Sequence, residues 1–468
     1  MTQGIARPLT GQLVTYRHQA LAAPTMLDEG LLAPSHVAGV VAQHGFQGRD
    51  RLFPPHRTLW TFVLQVLSPD GSCREALSRV RPWQIAKGQA PGSPNTGSYG
   101  KARARLPEGA LASLAHQSGH RLCEQVPQAW LWKGRRVKLV DGSTVTMPDT
   151  AANQAAYPQQ KGQQPGLGFP IARLVGVFDL ASGSLTTLGV GPYQGKETGE
   201  MALFRQEQGH LHRGDVVLAD RYYSSYWTLA GLHQRGLDYV GRQHHRRKTD
   251  FRRGQRLGRE DHVVMWPKPV KPAWMDQARY DDLPKELRVR ELRVRVTRRG
   301  FRTQVFVVVT TLLDAVDFSA QDVAELYRAR WHGELDLRSL KVALGMDVLR
   351  CKTPEMIRKE LWVYVLAYNV IRAVMVRAAL HAGLGPRELS FTGALQALNG
   401  FVPTFVLAEE AVQRILLDAL WVSVAAHRVG KRPNRVEPRA VKRRPKAHKL
   451  LRVPRQKAKK QLEMGRAA

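Results

Sequence analysis

The chain has 468 residues, 43% hydrophobic and 24% charged, which fits a folded protein of two or three domains and excludes a disordered chain. Its formal charge of +32 is the exceptional number. Self-repulsion of that size opposes compaction, so a polyanionic partner is expected, nucleic acid first and an anionic membrane surface second.

Residues 1–130 read as a helical N-terminal domain, broken by loops such as Ser68-Pro69-Asp70-Gly71 and Pro91-Gly92-Ser93-Pro94. The stretch from Thr58 to Leu67 is strongly apolar, and a helix capped by Ser72 is predicted from about Cys73 to Lys87. A third opens with Ser93 as N-cap and Pro94 at the first helical position. On it Ser98, Lys101 and Arg105 share one face, while Tyr99, Ala102 and Leu106 lie on another. A basic outer face after a short helix and a turn resembles a helix-turn-helix, making Lys101 and Arg105 candidate DNA contacts. A helical bundle with a basic surface has the same pattern, so both readings stand.

From 131 the texture changes to α/β. The run Arg136 to Val140 is a predicted strand stopping at Asp141-Gly142. Ala172–Asp179 and Ser184–Val190 are two more strands around a turn at Ala181-Ser182-Gly183. A helix (Glu197–His212), a short strand from Asp215 ending at Asp220, a helix (Ser225–Gln234) and a strand (Leu237–Gly241) follow. This order is that of an RNase H-like core, with residues 131–241 as its first part. Residues 242–320 read as a β-rich insertion. It has an irregular basic segment, a Pro-rich run around Trp266–Trp274, and strands Leu287–Arg298 and Thr303–Thr310 with a basic outer face. Residues 321–380 are the second part of the core, with one helix over 321–344 and a long apolar helix over 354–380. Helices over 381–426 and a basic tail, 427–468, complete the chain. The tail holds 16 Lys and Arg against Glu437 and Glu463, a composition that predicts an extended arm.

Three carboxylates stand out. Asp141 and Asp220 sit at predicted strand ends, and in an RNase H-like sheet the first strand lies beside the fourth, so those ends are neighbours. Glu334 lies on the 321–344 helix, where Tyr327, Arg330, Glu334 and Lys341 fall within a ~60° arc. Such acids can hold two hard divalent ions about 3.5–4 Å apart, and oxygen ligands favour Mg²⁺, with Mn²⁺ an alternative. The plain readings are turn-forming aspartates and an exposed helix laced with charge pairs.

The spacing Tyr327-x2-Arg330-x3-Glu334-x6-Lys341 matches the signature of DDE transposases of the insertion-sequence-4 family. Val140-Asp141-Gly142-Ser143 and Ala219-Asp220-Arg221 resemble that family's first and second acid motifs. The runs Ser93–Tyr99, Lys101–Pro107, Gly166–Arg173 and Arg435–Arg444 are similar to it as well, so the resemblance covers roughly residues 60–460. It implies a bacterial, Mg-dependent cut-and-paste transposase that cleaves terminal inverted repeats and joins them to target DNA, commonly through a hairpin. It further implies metal binding by Asp141, Asp220 and Glu334, phosphate contacts from Arg330, Lys341 and Tyr327, and a homodimer on paired double-stranded DNA ends. An aromatic residue of the β insertion is expected to take a displaced base, with Trp266 and Trp274 the candidates.

A nuclease on the same core and a silent DNA-binding derivative are the alternatives. The intact acids argue against the silent form, and the helical domain and basic tail argue against a minimal nuclease. Asp149, Asp179 and Asp215 read as turn or surface acids, Asp336 as pointing away from Glu334, and Tyr222 and Tyr223 as packing. His210 and His212 lack a third ligand partner in the sequence. Cys73, Cys123 and Cys351 stand far apart without a CxxC, which reads as reduced, buried thiols. The start, MTQGIARPLTGQL, lacks a leader's charged and apolar regions, and the longest apolar candidate, Leu361–Ile371, is too short to span a bilayer. A cytoplasmic, nucleoid-associated protein without membrane association is therefore expected.

Overall fold

The computed structural model describes residues 32–46, 53–86, 88, 93–296, 304–430 and 450–464. Among the described residues five helices come first: α1 (Pro34–Gln43), α2 (Pro55–Leu67), α3 (Cys73–Ala86), α4 (Gly97–Arg105) and α5 (Glu108–Glu124). Ser72 caps α3 as expected, its Oγ accepting the Glu75 N–H at 3.1 Å. The start of α4 differs from the prediction. Ser93 Oγ accepts from Asn95 N and Asn95 Oδ1 from Gly97 N, so two successive side-chain turns use up the capping groups before the helix begins. The faces of α4 fall as expected, with Tyr99, Ala102 and Leu106 buried and Lys101 and Arg105 exposed.

A mixed α/β region follows, in the predicted order apart from one short helix, α6, that the sequence did not announce: β1 (Val137–Thr146), α6 (Ala151–Ala156), β2 (Ile171–Asp179), β3 (Leu185–Pro192), α7 (Glu200–Glu207), β4 (Val216–Ala219), α8 (Tyr226–Gln234) and β5 (Asp238–Arg242). Helix α7 starts three residues later than predicted because Glu197 takes a left-handed φ of 54°, which a helix cannot include. Next are β6 (Gln255–Gly258), β7 (Asp261–Pro267), α9 (Gln277–Asp282), β8 (Glu286–Val296) and β9 (Gln304–Thr310). All nine strands form one sheet in the order β3-β2-β1-β4-β5-β9-β8-β7-β6. The pairs β1–β4 and β4–β5 are parallel, while β9 joins β5 antiparallel and carries the remaining strands with it. The outer face of β8 is basic as expected, except that Arg290 turns inward onto Asp261, with Nε–Oδ1 at 2.8 Å.

The predicted single helix over 321–344 is three segments: α10 (Ala320–Ala329), α11 (Trp331–Arg338) and a wide π turn, Ser339–Ala343. At Arg330 the path tightens, with Arg330 N bonding Tyr327 O and Gly333 N bonding Arg330 O. Ten residues on it widens, Leu344 N reaching Ser339 O. The two departures wind in opposite senses, so the stripe from Tyr327 to Lys341 stays on the sheet side.

Helix α12 (Pro354–Ala382) begins at Thr353, whose side chain caps Met356 N, and ends at left-handed Gly383. By length and composition it could cross a membrane, but 89% of its apolar window is buried within the protein. It is the central core helix, packed on α2, α5, α13 (Phe391–Leu407) and α14 (Glu410–Ala426). The tail departs in part from the extended arm predicted. Residues 427–430 lie against the segment before α13 through a Leu389–Arg428 bridge, and Arg455–Glu463 forms helix α15. The intervening basic run 431–449, including Arg435–Arg444, lies outside the described residues. Cys123 and Cys351 are buried and unpaired as expected, whereas Cys73 is half-buried.

Candidate active site

Strand β1 carries a buried apolar run into an acid. Val137, Leu139 and Val140 are buried, and pairing with β4 runs from Val137–Val216 to Val140–Ala219. Asp141 and Asp220 are the next residue on each neighbouring strand, which sets their backbones about 5 Å apart. The expected strand end at Asp141 is corrected here. Strand β1 continues through Gly142 to Thr146 because β2 supplies antiparallel partners from Gly176 to Ile171. What ends beside Asp141 is β4, which stops at Ala219. The turn that follows holds Asp220, whose Oδ1 accepts the Tyr222 N–H at 2.8 Å.

Glu334 arrives on α11, which packs on β1. Gly333 faces Asp141 closely: a Cβ there would just make contact, 3.5 Å from Asp141 Cβ and 3.8 Å from its Oδ2. Any longer side chain would meet the acid. Arg330 Nη2 donates to Glu334 Oε1 at 2.6 Å. Lys341 Nζ donates to Ser143 Oγ at 3.0 Å, two residues along β1 from Asp141 and so on the same strand face. Tyr327 is buried against Phe306 (5.2 Å between rings), with its phenol paired to Arg330. Arg330 therefore stands between Tyr327 and Glu334, while Lys341 flanks the acids from the other side.

Burial dominates the electrostatics of the site. Burial pushes the Asp141 carboxyl up to about 6, and the nearby Glu334 and Asp220 push the same way against Arg330 and the Gly142 N–H. Burial works against the Arg330 charge, yet Glu334, Tyr327 and Asp141 outweigh it and hold the guanidinium above its ordinary value. A fourth carboxylate, absent from the sequence reading, joins them. Glu200 at the start of α7 lies over Gly142, where an added Cβ would come within 2.3 Å of its Cδ. Burial raises the Glu200 pKa, Arg173 opposes the rise and Asp220 adds to it. The only local signal was the glycine after Asp141, which reads equally well as a turn.

The aromatic candidates separate clearly. Trp266 is 2% exposed, its indole N–H bonds Glu291 Oε1 at 2.9 Å, and Arg247 covers its ring at 3.7 Å. Trp274 instead lines a groove of about 720 Å³ with Tyr222, Trp227, His244, Arg246 and Lys248, next in sequence to the Asp220 turn. Lys101 and Arg105 are exposed on α4, on a helix that precedes the sheet.

The other acids find structural partners. Asp336 is fully buried on the opposite face of α11 and is bonded by Arg372 and Arg387. Asp179 is not a surface acid: it is buried, 3.3 Å from Lys138 Nζ, while also accepting from Ser182 at its turn. Asp215 is a buried turn acid that accepts His212 N, and Asp149 is exposed. Tyr223 packs in the core, but Tyr222 is 49% exposed rather than packed, because the turn at 220–224 directs it outward. His210 does acquire ligand-type neighbours, Glu207 and His116, which only the tertiary structure brings to it.

Residues 132–370 match the family described as "Transposase DDE domain". The chain is 30% identical over 324 residues to the transposase InsG for insertion sequence element IS4 of Escherichia coli (strain K12), covering 67% of this chain and 69% of that one. A shorter similarity, 39% over 65 residues, links it to the putative transposase InsL for element IS186A of the same strain and to the transposase for element IS421 of Escherichia coli. Each short match covers 14% of this chain and 18% of the relative.

Proposed function

The chain belongs to the DDE transposases of the IS4 family, an insertion-sequence transposase, and from that premise we propose that it performs cut-and-paste transposition with Asp141, Asp220 and Glu334 as its metal ligands. The observation that carries the reading is the acid cluster at the β1–β4 edge. Its oxygens are hard donors, and burial first, with Glu334 and Asp220 adding to it, pushes the Asp141 carboxyl up to about 6. Such a donor set fits two Mg²⁺ ions, with Mn²⁺ as a substitute. When bound, the ions supply Lewis-acid activation of the attacking oxygen and stabilise the leaving one.

The residues around the acids do the rest. The Arg330 guanidinium offers a bidentate fork, and Lys341 a point charge, to phosphate oxygens on either side of the scissile bond. Both favour the transition state, in which negative charge on the phosphoryl group is greatest. Tyr327, buried beside Arg330, orients that fork at the phosphate. Of the two tryptophans, Trp274 is suited to stack a displaced base during hairpin formation, since its groove is open and lined with cations. Both rings carry a guanidinium, Arg247 on Trp266 and Arg205 on Trp274 at 3.8 Å, but Trp266 is 2% exposed while Trp274 is half-buried, so a base could displace Arg205 from Trp274. The core over 131–241 and 321–380 is taken as RNase H-like, the segment 242–320 as its β-rich insertion, and residues 1–130 as the reader of the inverted repeat through Lys101 and Arg105. A homodimer on two ends, acting at the nucleoid, completes the proposal.

The test is purified protein with Mg²⁺ and DNA bearing the element's own ends. Nicked, hairpin and strand-transfer products are expected in that order. Nicking without strand transfer leaves a nuclease on the same core, and binding without cleavage leaves a silent DNA-binding protein.

A further inference from the structure

A second cluster of ligand-type side chains lies outside the acid edge. Helix α5 carries His116 and His120, one turn apart and so on one face. Facing them are Glu207 at the end of α7 and His210 in the single 3₁₀ turn after it. The His116 and His210 rings are 4.2 Å apart between centroids, and His120 is 6.0 Å from His210. Ligand atoms of His116, Glu207 and His210 all lie within 4.8 Å of one another. His210 Nε2 is 4.0 Å from Glu207 Oε2.

Two features make this more than a surface group of histidines. All three side chains are half-buried, and Trp362 closes one side, its ring perpendicular to that of His116 with 5.0 Å between centroids. A second shell is in place too. The Thr187 hydroxyl on β3 donates to Glu207 and lies 3.3 Å from His116 Nε2, which orients both.

We propose that His116, Glu207 and His210 form a site for a borderline divalent cation of the Zn²⁺ class, distinct from the Mg²⁺ acids. Two nitrogens and one carboxylate oxygen select Zn²⁺, Co²⁺ or Ni²⁺ over Mg²⁺, which prefers an all-oxygen shell. Tetrahedral bonds near 2.1 Å require ligand atoms about 3.4 Å apart, a contraction that side-chain rotation can supply. His120 is the next imidazole in reach and is suited to the fourth position. The ion clamps α5 of the helical segment to the end of α7, the helix that also carries Glu200.

The experiment uses the full chain with D141N, D220N and E334Q together, so that the acid edge cannot contribute. After removal of metal, Zn²⁺ is titrated in the presence of millimolar Mg²⁺, with bound metal read by elemental analysis. Co²⁺ substitution is followed by its visible absorption. One equivalent of Zn²⁺ per chain and a four-coordinate Co²⁺ spectrum are expected. His210→Ala and Glu207→Gln should each weaken Zn²⁺ at least about tenfold, with circular dichroism of the metal-free forms unchanged. If His210→Ala fails to fold, Glu207→Gln carries the test. No retained Zn²⁺ on the parent chain, or equal retention in Glu207→Gln, overturns the site.

Discussion

Two groups of carboxylates lie on opposite faces of helix α11, and they differ in how far their charge is met. Behind the helix, Asp336 is fully buried and accepts from two guanidiniums, Arg387 Nη1 at 2.7 Å and Arg372. Arg387 also bonds the Asp179 carbonyl, and Asp179 has Lys138 beside it. Burial would raise the Asp179 pKa, but Lys138 and Ser182 more than offset it and hold the carboxyl below its ordinary value. In front of the helix, Asp141, Asp220, Glu334 and Glu200 share mainly Arg330 and Arg173, and Asp141 is pushed up to about 6. Two residues of sequence separate Glu334 from Asp336. The rear carboxylates are matched by cations in structural contacts; at the front, burial raises the Asp141 and Glu200 pKa values against Arg330 and Arg173.

The largest expected effect is on chemistry at the front. Glu334→Gln should reduce cleavage and strand transfer by about 10³-fold or more, as loss of a ligand for the reacting metal requires. DNA affinity and thermal midpoint should stay near wild type, as gel-shift and melting assays would show. Normal cleavage by this variant would remove the acid edge from the mechanism.

At the rear the expected loss is stability. Asp336→Ala leaves Arg372 and Arg387 without a carboxylate and should cost about 3–5 kcal/mol in chemical denaturation. If Glu334→Gln were the more destabilising of the two, the distinction between the faces would fail.

Arg330→Lys sharpens the comparison further. It keeps the charge that meets Glu334 but loses the fork, so cleavage should drop about 10–100-fold while stability barely changes. An equal loss of folding stability would place Arg330 with the structural cations.

A smaller effect follows from the pKa of Asp141. The folded value near 6 lies above the unfolded value of about 3.9, so the folded state holds this proton more tightly. Its contribution is therefore most favourable below pH 4, declines between about pH 4 and 6, and is lost above that. In metal-free protein this should cost about 1–3 kcal/mol on going from acid to pH 7.5, and Asp141→Asn should abolish that part of the pH dependence. Urea midpoints with and without Mg²⁺ would check it. Mg²⁺ should stabilise the wild type at pH 7.5 and do little at pH 4.5.

The smallest effect is expected far from either face. Deleting residues 431–468, which keeps the docked 427–430 segment, should lower the salt dependence of DNA binding with little change in cleavage once DNA is bound. An unchanged slope of affinity against salt would show that these cations do not meet phosphate.

The α/β order, the parallel neighbours β1 and β4, and the helix bearing Glu334 were all legible in the sequence. The elements rest on local patterns, apolar runs and a helical period that carries Arg330, Glu334 and Lys341 along one side, whereas the β1–β4 adjacency was expected from the strand order of an RNase H-like sheet. Where the prediction failed, the deciding partner was remote. Asp141-Gly142 is mid-strand because β2, some 35 residues on, continues the pairing. The helix over 321–344 tightens and then widens, a change of winding that residue spacing does not record. Glu200 over Gly142, the two arginines on Asp336, and His116 beside His210 join side chains from separate elements. The sequence by itself determined which short segments would be strand or helix and which residue types they carry. Only the tertiary structure decided which acids are matched by cations and which are not, because burial and charge pairing depend on neighbours that the chain brings together by packing rather than by order.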